Sequence, residues 1–281
     1  MITDAVRFQL SKIKSNSIIF WLLVVTSLSV LYVGYRHNAM EQAVAYLFVM
    51  WLCSFFIDLY ALKYPSKDDF PVRKPKRETT YFFISVVGGF LFLFIRFCFD
   101  WDHMNQILKI ATLPLLLCTF PIALAIVLLF MKYKPKELGI RLHGLIIALP
   151  IIAVCVITNR LVSPDSLTWD AMTEHGGILG ALFTGIITAG LAEEFFRLIG
   201  QTRLGSVMHN KGMGWFITTV IWALMHAPKW YGEGGDITEA LLSSIRIIPI
   251  GLMWGYITHR TKSMLPAVLV HGTNIWGLQN F

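Results

Sequence analysis

Nine separate apolar stretches punctuate this sequence, at about 17–34, 42–62, 80–99, 107–131, 143–163, 178–199, 214–228, 238–258 and 264–280. Most approach the ~20 consecutive apolar residues that a membrane-crossing helix needs. The composition agrees. Hydrophobic residues make up 56% with Gly excluded, whereas soluble domains reach roughly 45–50% with Gly included. The expected architecture is an all-α polytopic transmembrane bundle with about eight to nine spanning helices. The first stretch, from Ser17 to Val33, outlasts a signal-peptide core and reads as a retained helix.

Basic residues set the expected orientation. Arg7, Lys12 and Lys14 precede the first stretch, and further Lys and Arg cluster in Lys63–Arg77, Lys132–Arg141, Arg197–Lys211 and Arg260–Lys262. With a cytoplasmic N-terminus these all fall inside, and the outer loops keep acids such as Asp165, Asp170, Glu174, Glu233, Asp236 and Glu239. The net charge of +7 then follows from topology and contact with anionic headgroups, with no nucleic acid needed. Cys53, Cys98, Cys118 and Cys155 all lie in apolar stretches without metal-site spacing and read as buried hydrophobes.

Against this background, ionisable residues within apolar stretches stand out, because a charge at bilayer depth costs at least a few kcal/mol. Three groups occur in the last third. In Glu193-Glu194-Phe195-Phe196-Arg197, the i, i+4 spacing of Glu193 and Arg197 puts them on one helical face. A carboxylate held by Arg197 beside a free one supplies a structural anion and a general base for water. Alone, the group also reads as an internal ion pair. His226 closes Trp222-Ala223-Leu224-Met225-His226, just before Pro228, which ends or kinks the helix. His271 and Asn274, three apart, share a helical face as two hydrogen-bond donors able to hold an oxyanion, or to join helices. Asp58 and Arg96 read as residues snorkelling to the interface, and Arg246 as a structurally paired cation. Glu193, His226 and His271 also make a candidate His₂Glu zinc set.

Taken in order, Glu193-Glu194…Arg197, Trp222-x-x-x-His226, and Thr261-x-Ser263-x-x-Pro266-Ala267 leading to His271…Asn274 resemble the CPBP family. These are the CAAX prenyl proteases and bacteriocin-processing (Abi-type) intramembrane glutamate endopeptidases. The resemblance covers 135–281, including the lead-in Lys136-Glu137-Leu138-Gly139-Ile140-Arg141, and leaves 1–134 as additional helices. It implies peptide hydrolysis by water activated by Glu193 and His226, with Glu194 as alternate or helper. His271 and Asn274 form the oxyanion side, and Arg197 anchors the motif. It implies no cofactor, with zinc left open. The implied partners are a peptide or protein substrate, membrane-anchored or lipidated, and the bilayer, in a bacterial inner membrane.

Two spacings depart from the family pattern. Only two residues separate Glu194 from Arg197 where three are usual, and Asn274 comes one residue early, with Ile275 in its place. The first leaves the catalytic carboxylate open between Glu193 and Glu194. The second turns the amide by about 100° around a helix. An inactive homologue acting as an immunity or scaffold protein is the alternative function, and a proton-coupled transporter a further one. For Glu193 to meet His226, the sixth helix must continue beyond Ile199 through Gln201–Met208.

Overall fold

The computed structural model describes residues 2–66, 68–99, 101, 103–162, 177–274 and 277–281. Among these every regular element is helical: α1 (Ile2–Ser15), α2 (Ser17–Arg36), α3 (Met40–Lys63), α4 (Pro75–Cys98), α5 (Gln106–Thr119), α6 (Ile122–Phe130) and α7 (Ala148–Val162). Then follow α8 (Gly177–Thr184), a π-helical stretch (Gly185–Leu191) and α9 (Ala192–Val207). The chain closes with α10 (Lys211–Leu224), α11 (Ala227–Gly232), α12 (Ile237–Arg246), α13 (Ile248–Thr261) and α14 (Leu265–Gly272).

Polar residues place the breaks. Asn16, Asn210 and Asp236 each accept a backbone N–H within the first turn of α2, α10 and α12, satisfying groups that a helix start leaves unpaired. Pro75 occupies the first position of α4, where its missing N–H costs nothing. Pro121 divides the fourth apolar stretch, and α5 meets α6 at a 61° bend.

The protein is therefore an all-α polytopic bundle, but its helix lengths differ from the sequence expectation. Among the described residues five helices are long and apolar enough to cross a membrane, or six counting the bent α5–α6 pair. The sixth stretch runs on through Val207, as the meeting of Glu193 and His226 requires, and it does so carrying Glu193, Glu194, Arg197 and Arg203. The last stretch stops at Gly272 after eight residues. The acids Asp165, Asp170 and Glu174 of an expected outer loop lie outside the described residues.

The N-terminal helices are bound tightly to the rest. Tyr46 of α3 accepts from the Ile250 N–H at 2.9 Å and donates to the Arg246 carbonyl at 3.1 Å, bridging the junction of α12 and α13. Asp58 does not snorkel. It is 1% exposed and takes bonds from Tyr256 (2.6 Å), Arg260 (2.8 Å) and Gln9 (3.1 Å). Arg246 pairs with the Phe281 carbonyl and ring. In the lead-in segment, Gly139 has φ +85°, which glycine adopts freely. Its carbonyl accepts the Met264 N–H at 2.9 Å, so this segment fixes the chain entering α14.

Candidate active site

Backbone-to-backbone packing brings α14 up to the π-helical stretch that leads into α9. A Cβ on Gly190 would lie 2.6 Å from the Val268 carbonyl oxygen, and one on Gly272 2.5 Å from Ile186 Cα. Side chains at those positions would push the helices apart. The wide π-helical turns sit at this contact, immediately before the carboxylates, a common setting for such turns near functional groups.

Adjacent residues on a helix point about 100° apart, and Glu193 and Glu194 accordingly face different surroundings. Glu194 turns inward and its side chain is 1% exposed. Its Oε1 receives Arg197 Nη1 at 3.1 Å and His271 Nδ1 at 2.8 Å. Arg197 is thus paired at i, i+3 with Glu194, and not at i, i+4 with Glu193 as the spacing predicts. Both spacings lie on one face, and the outcome is set by what waits across the interface. The Gly251 carbonyl of α13 accepts Arg197 Nη1 at 3.0 Å. The guanidinium carbon also lies 4.2 Å from the Trp222 ring centre and 5.3 Å from that of Trp254.

Glu193 keeps a more open position, with its side chain 28% exposed. Its Oε2 accepts the Trp222 indole N–H at 2.5 Å. The same oxygen lies 3.6 Å from His271 Nε2 and 3.9 Å from His226 Nε2. Both gaps exceed direct hydrogen-bond length, and a water touching both groups would sit to one side of each line.

The ring protons follow from their partners. A carbonyl only accepts, so His226 Nδ1, 2.9 Å from the Trp222 carbonyl oxygen, carries the proton and leaves Nε2 as an acceptor in the neutral ring. Glu194 Oε1 already accepts from Arg197 Nη1, so His271 Nδ1 is the donor in its 2.8 Å contact with that oxygen. The Trp254 ring stacks on His271 with centres 3.7 Å apart and planes 14° off parallel, fixing the imidazole.

Five predicted residues, Glu193, Glu194, Arg197, His226 and His271, therefore converge. Asn274 stands apart from their bonds. The helix ends at Gly272, so Asn274 does not share a helical face with His271, and its amide donates to Gln279 Oε1 at 3.2 Å. Ile275, in the usual family position of the amide, lies outside the described residues. Two contributors escaped the sequence reading. Trp222 had appeared only as the aromatic residue of its motif, although four residues from His226 is one helical turn. Trp254 bears no signal beyond being aromatic in an apolar helix. Among the described residues no group of three or more His, Cys, Asp or Glu is arranged to hold a metal ion.

Residues 175–276 match the family model described as type II CAAX prenyl endopeptidase Rce1-like. The stretch contains every residue of the constellation. No curated protein matches the chain, and no solved structure does.

Proposed function

We propose that this chain, an integral membrane protein carrying an Rce1-like type II CAAX prenyl endopeptidase domain, hydrolyses a peptide bond with a water activated by Glu193. The observation that carries the reading is the shared focus of Glu193 Oε2 and the two imidazole Nε2 atoms at 3.6 and 3.9 Å. A water there donates one hydrogen to Glu193 and the other to His226 Nε2. As its oxygen attacks the peptide carbonyl carbon, Glu193 takes the proton and the carbonyl π pair moves onto oxygen. His271 is held by its Nδ1 contact to Glu194, which turns Nε2 toward the oxyanion, where an N–H would donate. The C–N bond then breaks, the oxyanion pair re-forms the carbonyl, and Glu193 returns its proton to the leaving amine. Trp222 orients the base, and Arg197 fixes Glu194. Asn274 joins as a second oxyanion donor when its bond to Gln279 exchanges for one to substrate.

The substrate class that suits an Rce1-like domain is a peptide ending near a prenylated cysteine, presented from the membrane. A quenched-fluorescent prenylated peptide, incubated with protein in lipid nanodiscs, tests the reaction. The expected result is a single cleavage, undiminished after exhaustive chelation and without a covalent enzyme adduct by mass spectrometry. Loss on chelation with recovery on added zinc would replace this mechanism with the Glu193/His226/His271 metal reading. The engagement of Asn274 by Gln279 favours a second reading, a non-catalytic immunity or scaffold homologue. A properly folded protein that cleaves neither prenylated nor plain peptides would select it.

A further inference from the structure

Away from the carboxylates, the N-terminal helices and α13 enclose a second cavity of about 660 Å³, within the usual range for a bound small molecule. It is walled by α1, α2 and α3 on one side and by α10 and α13 on the other. Along α2 it reaches from Asn16 to Ser27, a rise of about 16 Å. That depth equals one leaflet of a hydrocarbon core about 30 Å thick. The three long walls run together: Ser27, Leu47 and Pro249 lie at the deep end, Asn16, Asp58 and Arg260 at the shallow one.

The two ends differ in chemistry. The deep part is lined by apolar side chains such as Leu23, Leu47, Met50 and Leu252. Two hydroxyls there are spent on their own helices, Thr26 on the Leu22 carbonyl at 2.8 Å and Ser54 on the Met50 carbonyl at 2.8 Å. The shallow end carries Lys211, His259 and Arg260. Its one lining carboxylate, Asp58, is buried and filled by Tyr256, Arg260 and Gln9. Lys211 has a further neighbour in Asp69 at 3.4 Å, but both side chains are mostly exposed, and such a pair holds weakly.

We infer that this groove is a binding site for an anionic phospholipid of the leaflet nearer α1. One acyl chain lies between α2, α3 and α13, and the phosphate rests on Lys211 and on the N–H groups of Arg260 that Asp58 does not take. The length match selects a single-leaflet amphiphile, and the two rim cations Lys211 and Arg260, against the single lining carboxylate Asp58, select an anionic headgroup. The inference does not depend on the proposed reaction. It does touch the same helix, because the opposite side of α13 presents Gly251 and Trp254 to Arg197 and His271.

The full chain, purified and stripped of lipid by detergent exchange, serves for the test. Thermal unfolding and native mass spectrometry are measured with phosphatidylglycerol, phosphatidylcholine or glycerol phosphate added. Phosphatidylglycerol is expected to remain bound at one per chain and to raise the unfolding temperature more than phosphatidylcholine, while glycerol phosphate does neither. Ser27→Trp and, separately, Leu23→Trp fill the apolar part and are expected to abolish the retained lipid while the helical circular dichroism is unchanged. Lys211→Gln is expected to cut the preference for the anionic lipid by about fivefold, the worth of one basic contact near a lipid surface. Equal retention of both lipids, an equal shift from glycerol phosphate alone, or unchanged retention in both tryptophan variants would each overturn the proposal.

Discussion

The Glu78–Arg203 and Glu194–Arg197 pairs both lie deep in this bundle, and their surroundings differ. Glu78 of α4 and Arg203 of α9 are both 0% exposed and meet at 2.9 Å. Both oxygens of Glu78 are engaged: Oε1 takes the Lys74 N–H (2.7 Å), the Arg73 N–H (3.1 Å) and the Tyr133 hydroxyl (2.8 Å), and Oε2 takes Arg203. Some nine residues earlier on the same helix, Glu194 takes Arg197 and His271 on Oε1 while its buried Oε2 has no hydrogen-bond partner, and its neighbour Glu193 has a single indole N–H and two imidazoles beyond bonding distance. Burial beside an arginine does not mark a reactive carboxylate. In the proposed reaction the base is instead Glu193, the carboxylate left 28% exposed with only the Trp222 indole N–H in bonding range.

Substitutions that leave an arginine buried without its anion are expected to have the largest effect on stability. Glu78→Gln should cost about 3–5 kcal/mol, read as a lowered denaturation midpoint, with any folded fraction cleaving normally. Glu194→Gln should cost a similar amount and also remove cleavage, because His271 loses its anchor together with Arg197. If Glu194→Gln left the midpoint unchanged, the kinship of the two pairs would fail.

A smaller effect is expected from Trp222→Phe. It keeps the ring that packs on Arg197 but deletes the donor to Glu193, a hydrogen bond to a charged group worth about 1.5–3 kcal/mol. The fall should appear in the unfolding midpoint and in kcat, with KM little changed. A change confined to KM would make Trp222 a substrate contact.

The smallest effect belongs to a carboxylate outside the bundle. Burial opposes ionisation of Asp69, but the Phe70 N–H and the Lys262 and Lys211 ammonium groups outweigh it and hold the carboxyl at about 2. Its folded value lies below its unfolded one, so its stabilisation is present above about pH 4 and is lost as pH falls toward 2. Asp69 is 61% exposed, so Asp69→Asn should flatten that acid limb by less than about 1 kcal/mol. An unchanged limb would assign the acid sensitivity to other groups.

The same contrast explains what the sequence disclosed. Glu193, Glu194, His226 and His271 were conspicuous because ionisable groups are costly in apolar stretches. Glu78 was hidden among Lys74, Lys76 and Arg77, in a segment that reads as a solvated connector. Asp58 passed for an interfacial residue because its partners Arg260 and Tyr256 are distant in sequence. Helical spacing placed Arg197 correctly beside the carboxylates but could not choose between them, since Gly251 and His271 approach from other helices. Five or six of the expected eight to nine spans have membrane-crossing length among the described residues, and apolar content alone reports neither the bend at Pro121 nor the end of α14 at Gly272. The packing of Trp254 on His271 left no periodic trace.

The central claim is that Glu193 is the unfilled base of this constellation. Single-turnover cleavage of the prenylated peptide by Glu193→Gln, with its unfolding midpoint measured on the same sample, tests it most directly. The account predicts a rate lowered by about 10²–10⁴-fold, the usual worth of a positioned general base, at an unchanged midpoint. Cleavage at the parent rate by that folded variant would contradict it.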